Sequence, residues 1–322
     1  MPKSKPTLQK IIESLKQYQG ITRKRHSWIF KDLVGEFFGE DAGFMEFGEH
    51  EIVLTSDGIW ERVVEADLKW AGFVSILVNV HDIYAMGAEP VMAVNVISAR
   101  NSEDLKKILS GVKRGVEFFG IKMVKGHLHP ESSRNSIDVA MVGVGKKGKL
   151  LRSNSAKNGD DIVVSVDTDG SFHEKLPYNF DSTSKPENEF VRQFKSMIHL
   201  AEKKMVNSAK DVSNAGILGT LAMLLEVSNA GGVVDIDKIP MPDGADIEQW
   251  LKCYPACGFV CTAEDGESVA EIFRNYGLDA DVVGKVNSSS ILKLRYGGEE
   301  RIFYDFKKES ILGTEKKQQN GS

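Results

Sequence analysis

Apolar residues recur along the first half of the chain at two spacings, one typical of helices and one typical of strands. A helical spacing predicts a first helix over residues 8–18, which stops at Gly20. Further runs predict a strand at 52–55, a helix at 69–86, a strand at 92–97, a helix at 102–120 and strands at 122–125 and 137–144. This alternation predicts an α/β domain over residues 1–150.

The second half begins at a polar turn around Gly159. Residues 168–189 are rich in Asp, Ser, Pro and Lys with little periodicity, which predicts a functional loop or lid. The remaining predicted elements are strands at 162–166, 232–236, 256–263 and 280–286, and helices at 190–204 and 216–227. They form a predicted C-terminal domain over residues 151–306, and the polar residues 307–322 are predicted to be a flexible tail.

Composition narrows the class of protein and its partners. Of the 322 residues, 41% are hydrophobic and 27% are charged, which is typical of a globular protein. The 41 basic and 46 acidic residues give a net charge of −5, so nothing attracts nucleic acid to the chain as a whole. The sequence has neither a long apolar run for a membrane span nor a secretory signal, and three cysteines fit a reducing compartment. These features predict a cytoplasmic protein with a small-molecule partner.

Positive charge is concentrated near the amino terminus. Residues 1–35 contain eight Lys or Arg, and the sharpest cluster is Arg23-Lys24-Arg25-His26. One interpretation is a solvated end of the first helix, where cations favour the negative pole of the helix dipole. The alternative is an arm that lies over an anionic ligand, with Lys24 as a cofactor-binding residue.

Acidic side chains occur at four positions where the predicted elements turn. Asp41 follows Glu40, Asp57 lies in a predicted turn after the strand at 52–55, Asp82 lies near the end of a helix, and Asp211 precedes Ser213-Asn214. Such carboxylates can hold Mg²⁺, which leaves its other positions to water and substrate phosphates. From spacing alone, an ordinary cap of a helix or turn is the favoured interpretation of any one of them.

Histidines and cysteines offer two further candidate sites. In an extended segment, the spacing of His127 and His129 places both rings on one face, which suits a metal or anion contact. Because spacing identifies no third metal ligand, a substrate or phosphate contact is favoured. Cys253, Cys257 and Cys261 suggest a metal cluster, but strand-like alternation around Cys261 favours core packing.

Several motifs occur in the order of a known family. Residues 78–90, VNVHDIYAMGAEP, resemble the N-x-x-D-I-x-A-M-G-A-x-P signature of the aminoimidazole ribonucleotide synthetase (PurM-like) superfamily. Residues 39–42 resemble its G-D-D-A, Ser56-Asp57 its T-D, Gly126-His127 its G-G-(D/E/H)-T, and residues 211–216 its D-x-S-D-G. The superfamily includes thiamine-monophosphate kinase, selenophosphate synthetase and a hydrogenase maturation factor.

Longer segments resemble one branch more closely, the aminoimidazole ribonucleotide synthase-related proteins, which include methanogenesis marker protein 2. The resemblance implies a PurM-like fold of two domains, an N-terminal α/β domain and a C-terminal α+β domain. It also implies a homodimer, in which the N-terminal domains share a β-barrel, and a cleft that binds ATP and Mg²⁺ against the acidic motifs.

The resemblance also implies roles for individual residues. The Mg²⁺ ligands would be Asp41, Asp57 and Asp82. The residues that contact the nucleotide would be Asn79, Gly87 and Gly126. His127 and Asp211 would be catalytic, and His129 and Asn214 would contact the substrate.

The implied activity is ATP- and Mg²⁺-dependent phosphoryl transfer to a small polar, anionic metabolite. Two departures from the family pattern bear on it. Asn214 replaces the acid of D-x-S-D-G, and Gly126-His127-Leu128-His129 replaces the G-G-D-T of thiamine-monophosphate kinases. The alternatives are thiamine-monophosphate kinase itself, or an ATP-binding maturation or regulatory protein that makes no product of its own.

Overall fold

The computed structural model describes residues 6–313, which form two compact units. The first, called the five-stranded unit, contains Asp41–Leu151 and Gly170–Lys204. The second, called the seven-stranded unit, contains the described parts of Met1–Glu40, Arg152–Asp169 and Met205–Ser322. Both units are discontinuous in sequence, whereas the predicted domains, 1–150 and 151–306, are continuous and stay a prediction.

The helices and strands alternate along most of the chain. The helices are α1 (Leu8–Gln17), α2 (Gln19–Thr22), α3 (Lys31–Val34), α4 (Glu61–Ala66), α5 (Leu68–Ala85), α6 (Ser102–Phe119), α7 (Glu187–Lys203), α8 (Gly216–Val227), α9 (Ile247–Trp250) and α10 (Gly266–Asn275). Short 3₁₀ helices cover Arg23–Phe30, Gly35–Phe37 and Ile236–Lys238. The strands are β1 (Gly43–Phe47), β2 (His50–Gly58), β3 (Glu89–Ser98), β4 (Lys122–His129), β5 (Ser136–Lys146), β6 (Asp161–Val166), β7 (Ser171–His173), β8 (Leu176–Asp181), β9 (Ser208–Asp211), β10 (Gly231–Asp235), β11 (Tyr254–Pro255), β12 (Gly258–Ala263), β13 (Asp279–Asn287), β14 (Ile291–Tyr296) and β15 (Glu299–Asp305).

The five-stranded unit is a sheet in the order β1-β2-β5-β3-β4, and only the β3–β4 pair is parallel. Helix α5 packs on the sheet and α6 packs on α5. Glycines permit this close approach, because a Cβ on Gly72 would collide with the carbonyl oxygen of Ile108 and one on Gly111 with that of Lys69. Lying between the sheet and α6, α5 is buried almost all round.

The other face of this sheet carries exposed apolar side chains and is called the open face. Strand alternation turns Val53 and Thr55 of β2 inward and leaves Leu54 outward, 55% exposed. The exposed apolar residues of the open face are Met45, Phe47, Leu54, Met92, Val94 and Val96. Several exposed apolar side chains on one face of a sheet are typical of a protein–protein contact.

The seven-stranded unit is a sheet in the order β15-β14-β10-β13-β6-β12-β9, and only the β10–β14 pair is parallel. Helix α10 packs on β6 and β13, α8 on β9, β10 and β12, and α1 on β14 and β15. Cys253, Cys257 and Cys261 are buried and unpaired, and burial raises the pKa of Cys253 and Cys261. The predicted core role of the cysteines is confirmed.

The structure corrects the sequence-based assignment at two strand ends. Strand β2 continues through Ser56-Asp57-Gly58, where a turn was predicted, because these residues pair with β5 as far as Asp138. Strand β4 likewise continues beyond the predicted 122–125 to His129, because it pairs with β3 along its whole length.

Three other segments also differ from the prediction. Residues 168–189 contain the antiparallel hairpin β7–β8 in place of an unstructured lid. The basic run at Arg23 lies in its own 3₁₀ helix, beyond the end of α1. In the predicted flexible tail, Ile311 and Leu312 are buried and both backbone N–H groups donate to Glu226 Oε2; residues 314–322 lie outside the described residues.

Between residues 6 and 313, every helix is too short or too polar to cross a membrane.

Candidate functional site

Two of the predicted acidic positions meet at a threonine in the five-stranded unit. Thr55 Oγ1 donates to Asp82 Oδ2 at 2.6 Å and lies 3.3 Å from the backbone oxygen of Asp41. The contact joins β2, α5 and the segment before β1. Asp57 follows two residues after Thr55, so it emerges from β2 on the same face. Sequence reasoning missed Thr55, whose only signal is its place just before Ser56-Asp57.

Helix α5 contributes Asn79 and Asp82 from one face, because they are three residues apart. Asn79 is fully buried and its Nδ2 donates to the Ser75 carbonyl at 2.9 Å, but its Oδ1 has no hydrogen-bond partner. A buried amide oxygen without a partner is unusual and is suited to accept from a bound polar ligand or water. Asp82 is 9% exposed, so one carboxylate and one free amide oxygen lie on the same buried face.

The helix-cap alternative is wrong for all four predicted acids. Asp57 lies within β2, Asp211 ends β9, Asp82 lies inside α5, and Asp41 precedes a strand. The N-cap of α5 is instead Asp67, whose Oδ1 accepts from the N–H groups of the next turn. None of the four therefore serves as a helix cap.

Metal binding by these acids stays a prediction. Among residues 6–313, no three His, Cys, Asp or Glu side chains come close enough together to form a metal site. The donors nonetheless fit Mg²⁺, a hard cation that needs only one or two carboxylates and takes its other oxygens from water and phosphate. Asp57 and Asp82 carry carboxylates of this kind, and their role as ligands stays a prediction.

Packing explains both predicted nucleotide-contacting glycines. Gly87 has φ of +74°, and a Cβ there would collide with the Cβ of Ala201 in α7. A Cβ on Gly126 would lie 2.7 Å from Asn95 Oδ1. The close approach of neighbouring atoms therefore accounts for both glycines, and their nucleotide contacts stay a prediction.

The histidines lie on the edge strand β4. The ring centroids of His127 and His129 are 4.8 Å apart, as expected for alternate residues of one strand. His127 is in register with Val96, and Val96 pairs with Asp138, which in turn pairs with Gly58. The row places His127 and Asp138 on the open face, whereas Asp57, at the same end of the sheet, lies on the opposite face with Thr55.

Asp138 is a candidate that sequence reasoning missed. It is exposed, and its carboxylate has no hydrogen bond or ion pair among the described residues 6–313. Gly58 leaves room for it, because a Cβ there would collide with Asp138 Oδ1. The signal was the alternation of residues 137–144, which turns Asp138 away from buried Ile137 and Val139.

In the seven-stranded unit, the loop from β9 to α8 holds Asp211, Ser213 and Asn214. Asp211 is buried at the end of β9. Ser213 Oγ and Asn214 Oδ1 are both buried and have no hydrogen-bond partner. Two such atoms in adjacent residues indicate a loop suited to a polar ligand. Gly20 packs on this loop, because a Cβ there would collide with the carbonyl oxygen of Asn214.

Charged groups fix other parts of the seven-stranded unit. Lys210, only 5% exposed, donates from Nζ to the Gly39 carbonyl at 3.0 Å. Glu40 accepts from Arg152 Nε at 2.9 Å and from the Ser153 N–H at 2.7 Å, so its side chain serves packing here. Sequence reasoning missed Lys210, because the polar residues of β9 give no strand signal. Lys24 lies half-buried in the 3₁₀ helix Arg23–Phe30, and its predicted cofactor contact stays a prediction.

Comparison with known proteins places this geometry in a family. The model described as AIR synthase related protein, N-terminal domain, matches residues 39–146, and the corresponding C-terminal domain model matches residues 158–297. An uncharacterized protein of Methanocaldococcus jannaschii is 40% identical, covering 95% of this chain and 99% of its own. A thiamine-monophosphate kinase of Pyrococcus horikoshii is 29% identical, covering 83% of this chain and 89% of its own.

A solved structure shares the fold. The structure of T. maritima PurL complexed with ATP superimposes with a TM-score of 0.75 at 16% identity and covers 94% of this chain. The present chain spans about half of that protein, 52% of its length. The predicted two-domain PurM-like fold is confirmed.

Proposed function

Because this chain belongs to the AIR synthase related protein family, we propose that it is an ATP- and Mg²⁺-dependent enzyme that phosphorylates a small polar, anionic metabolite. The observation that carries the proposal is the buried group in the five-stranded unit, where Thr55 links Asp82 to the Asp41 backbone and Asn79 presents a free amide oxygen. The ATP named in the PurL structure and the kinase among the relatives support it.

The physical argument concerns charge. ATP carries roughly four negative charges, so carboxylates can lie beside its phosphates only when metal ions neutralise both. Asp82 and Asp57 would hold Mg²⁺, the Asn79 amide oxygen would accept from a metal-bound water, and Thr55 keeps Asp82 oriented. Mg²⁺ would polarise the transferred phosphoryl group.

The acceptor is proposed to be anionic because of the side chains at the end of β4. The resembled superfamily places an acid or a histidine after this glycine. His127 and His129 offer imidazoles there, which donate hydrogen bonds and become cationic when protonated. Asp138 lies in the same row as His127 but on the opposite face of the sheet from Thr55 and Asp57, so it is assigned no proton transfer.

Two alternatives have specific observations in their favour. Thiamine-monophosphate kinase is supported by the 29% identical relative, but the histidines of Gly126–His129 depart from the motif of those kinases. A binding protein that makes no product is supported by Asn214, which stands where an acid is expected.

The proposed enzyme is a homodimer joined through the open face. Phe47 is 67% exposed and Leu54 is 55% exposed, and burying such side chains is worth roughly 1.5–3 kcal/mol each. Both β1 and β4 are edge strands of the sheet, which a second copy could cover.

The test is ADP formation by the full chain with MgATP and a panel of acceptors, including thiamine monophosphate and phosphate- or carboxylate-bearing alcohols. Acceptor-dependent ADP with a phosphorylated product in ³¹P NMR supports the proposal, and thiamine monophosphate as the best acceptor supports the first alternative. MgATP binding without turnover supports the second. Absence of MgATP binding by calorimetry would refute all three.

A further inference from the structure

A second candidate site lies in the seven-stranded unit, where a cavity of about 470 Å³ opens beside the C-terminal end of α8. Val227 ends that helix and lines the cavity. The other walls come from the N-terminal segment, through Lys31 and Phe38, from Asn154, and from the C-terminal segment, through Phe306 and Lys307. Known small-molecule sites have similar volumes, about 300–1,000 Å³.

The charged groups of the cavity favour an anion. Among residues 6–313, the ammonium groups of Lys31 and Lys307 have no hydrogen bond or ion pair. Glu226 also lines the cavity, but its Oε2 already accepts from the N–H groups of Ile311 and Leu312, at 3.1 and 3.0 Å. The cavity therefore has two lysines without an ion pair and one carboxylate that already accepts two backbone hydrogen bonds, which favours an anionic ligand.

The uncharged part of the lining adds a second requirement. Phe38, Phe306 and Val227 provide apolar surface, and the aromatic rings suit a planar group. The amide of Asn154 supplies a polar contact at the exposed side. Four of the ten lining residues are apolar and six are polar or charged, so a ligand with one apolar and one charged part matches both kinds of surface.

The cavity is distinct from the loop that holds Asp211 and Asn214. That loop precedes the N-terminus of α8, whereas the cavity lies at the other end of this helix of 12 residues, about 18 Å away at 1.5 Å per residue. Six of its ten lining residues, Lys31, Phe38, Asn154, Phe306, Lys307 and Leu312, lie outside the stretches matched by the family models. The cavity is therefore not a feature that family membership predicts.

We propose that this cavity binds a small metabolite that combines a planar apolar group with a phosphate or carboxylate. Lys31 and Lys307 would bind the anionic group, and Phe38, Phe306 and Val227 would contact the ring.

The test uses 1-naphthyl phosphate as the probe, titrated into the full chain by calorimetry with saturating MgATP present to occupy the proposed nucleotide site. We expect one site with a dissociation constant below 1 mM, and at least tenfold weaker binding of both inorganic phosphate and 1-naphthol, each of which lacks half of the ligand.

The double variant Lys31→Gln/Lys307→Gln is expected to bind the probe at least tenfold more weakly. Its matched control is Lys106→Gln/Lys238→Gln, which removes two exposed lysines elsewhere and should stay within twofold of the wild type. Asn154→Trp places a ring at the exposed side of the cavity and should abolish binding. Absence of saturable binding to the wild type, or equal affinity of the two double variants, would overturn the proposal.

Discussion

Replacing Asp82 or Asp57 by Asn should weaken MgATP binding at least tenfold. An Asn side chain has nearly the same volume as Asp and can still accept a hydrogen bond from Thr55 Oγ1. The substitution at Asp82 therefore removes one negative charge and little else. At 4 Å and an effective dielectric constant near 20, two unit charges interact by roughly 4 kcal/mol, and by more with a divalent ion. A tenfold loss of affinity corresponds to about 1.4 kcal/mol. This expected loss is set well below the Coulomb energy, because desolvation of the carboxylate offsets much of its attraction to the metal.

The assay is calorimetric titration of MgATP, repeated with ATP in excess EDTA. Both variants should lose affinity for MgATP and change little in EDTA, because the removed charge acts on the metal. Asp67→Asn is the matched control, since Asp67 caps α5 of the same unit and Asn is an equally good cap. Wild-type affinity for MgATP in both Asp57→Asn and Asp82→Asn would refute the assignment.

Three further predictions concern assembly, the acceptor and the core. Light scattering at micromolar concentration should give about twice the monomer mass of 35.6 kDa. Leu54→Lys on the open face should lower this mass toward that of the monomer, and a monomeric wild type would contradict the dimer. His127→Ala should abolish acceptor-dependent ATP consumption yet leave MgATP affinity within about twofold, and unchanged turnover would defeat that role. Phe194→Ala should lower the free energy of unfolding by about 3–5 kcal/mol in denaturant titration, because Phe194 is fully buried against Phe119 and Phe190. A loss below about 1 kcal/mol would contradict this packing argument.

Local sequence patterns were sufficient for the long helices. The helix predicted at 216–227 is α8, and the one predicted at 190–204 is α7, which begins three residues earlier at Glu187. In both, apolar residues repeat at helical spacing over several turns, so the signal does not depend on distant partners.

Strand ends were predicted poorly, because distant pairing decides them. Ser56-Asp57-Gly58 is polar and contains glycine, as turns do, yet β5 continues alongside and supplies hydrogen-bond partners. The hairpin β7–β8 has a similar cause. Its Asn179 accepts from Trp70 Nε1 at 3.1 Å across 109 residues, a contact that no local pattern reveals.

Motifs located part of the candidate site and missed the rest. The family resemblance drew attention to Asn79, Asp57 and Asp82, but it gave no reason to examine Thr55 or Asp138. The role of Thr55 depends on a 2.6 Å distance to a residue 27 positions away, and the position of Asp138 depends on its row across four strands. Such relations are set by sheet register and by the packing of α5, which sequence spacing does not encode.

Asn214 offers the sharpest distinction between an enzyme and a binding protein. Its Oδ1 is buried without a partner, so Asn214→Asp places a negative charge there with few steric consequences. If the chain phosphorylates an anionic acceptor that contacts this loop, the new charge should repel it. We expect the KM for the acceptor to rise at least fivefold and MgATP affinity to stay within twofold, whereas Asn158→Asp, at an exposed turn, should change neither.

Because Asn214 Oδ1 is buried, added salt should screen this repulsion little, so the comparison is made with an uncharged acceptor. An uncharged acceptor should keep its KM in Asn214→Asp, and a KM that rises equally for charged and uncharged acceptors would contradict the electrostatic argument. If Asn214→Asp instead creates ATP hydrolysis that the wild type lacks with every acceptor, then the chain has lost a catalytic acid at this position. In that case the wild-type chain binds MgATP but makes no product of its own.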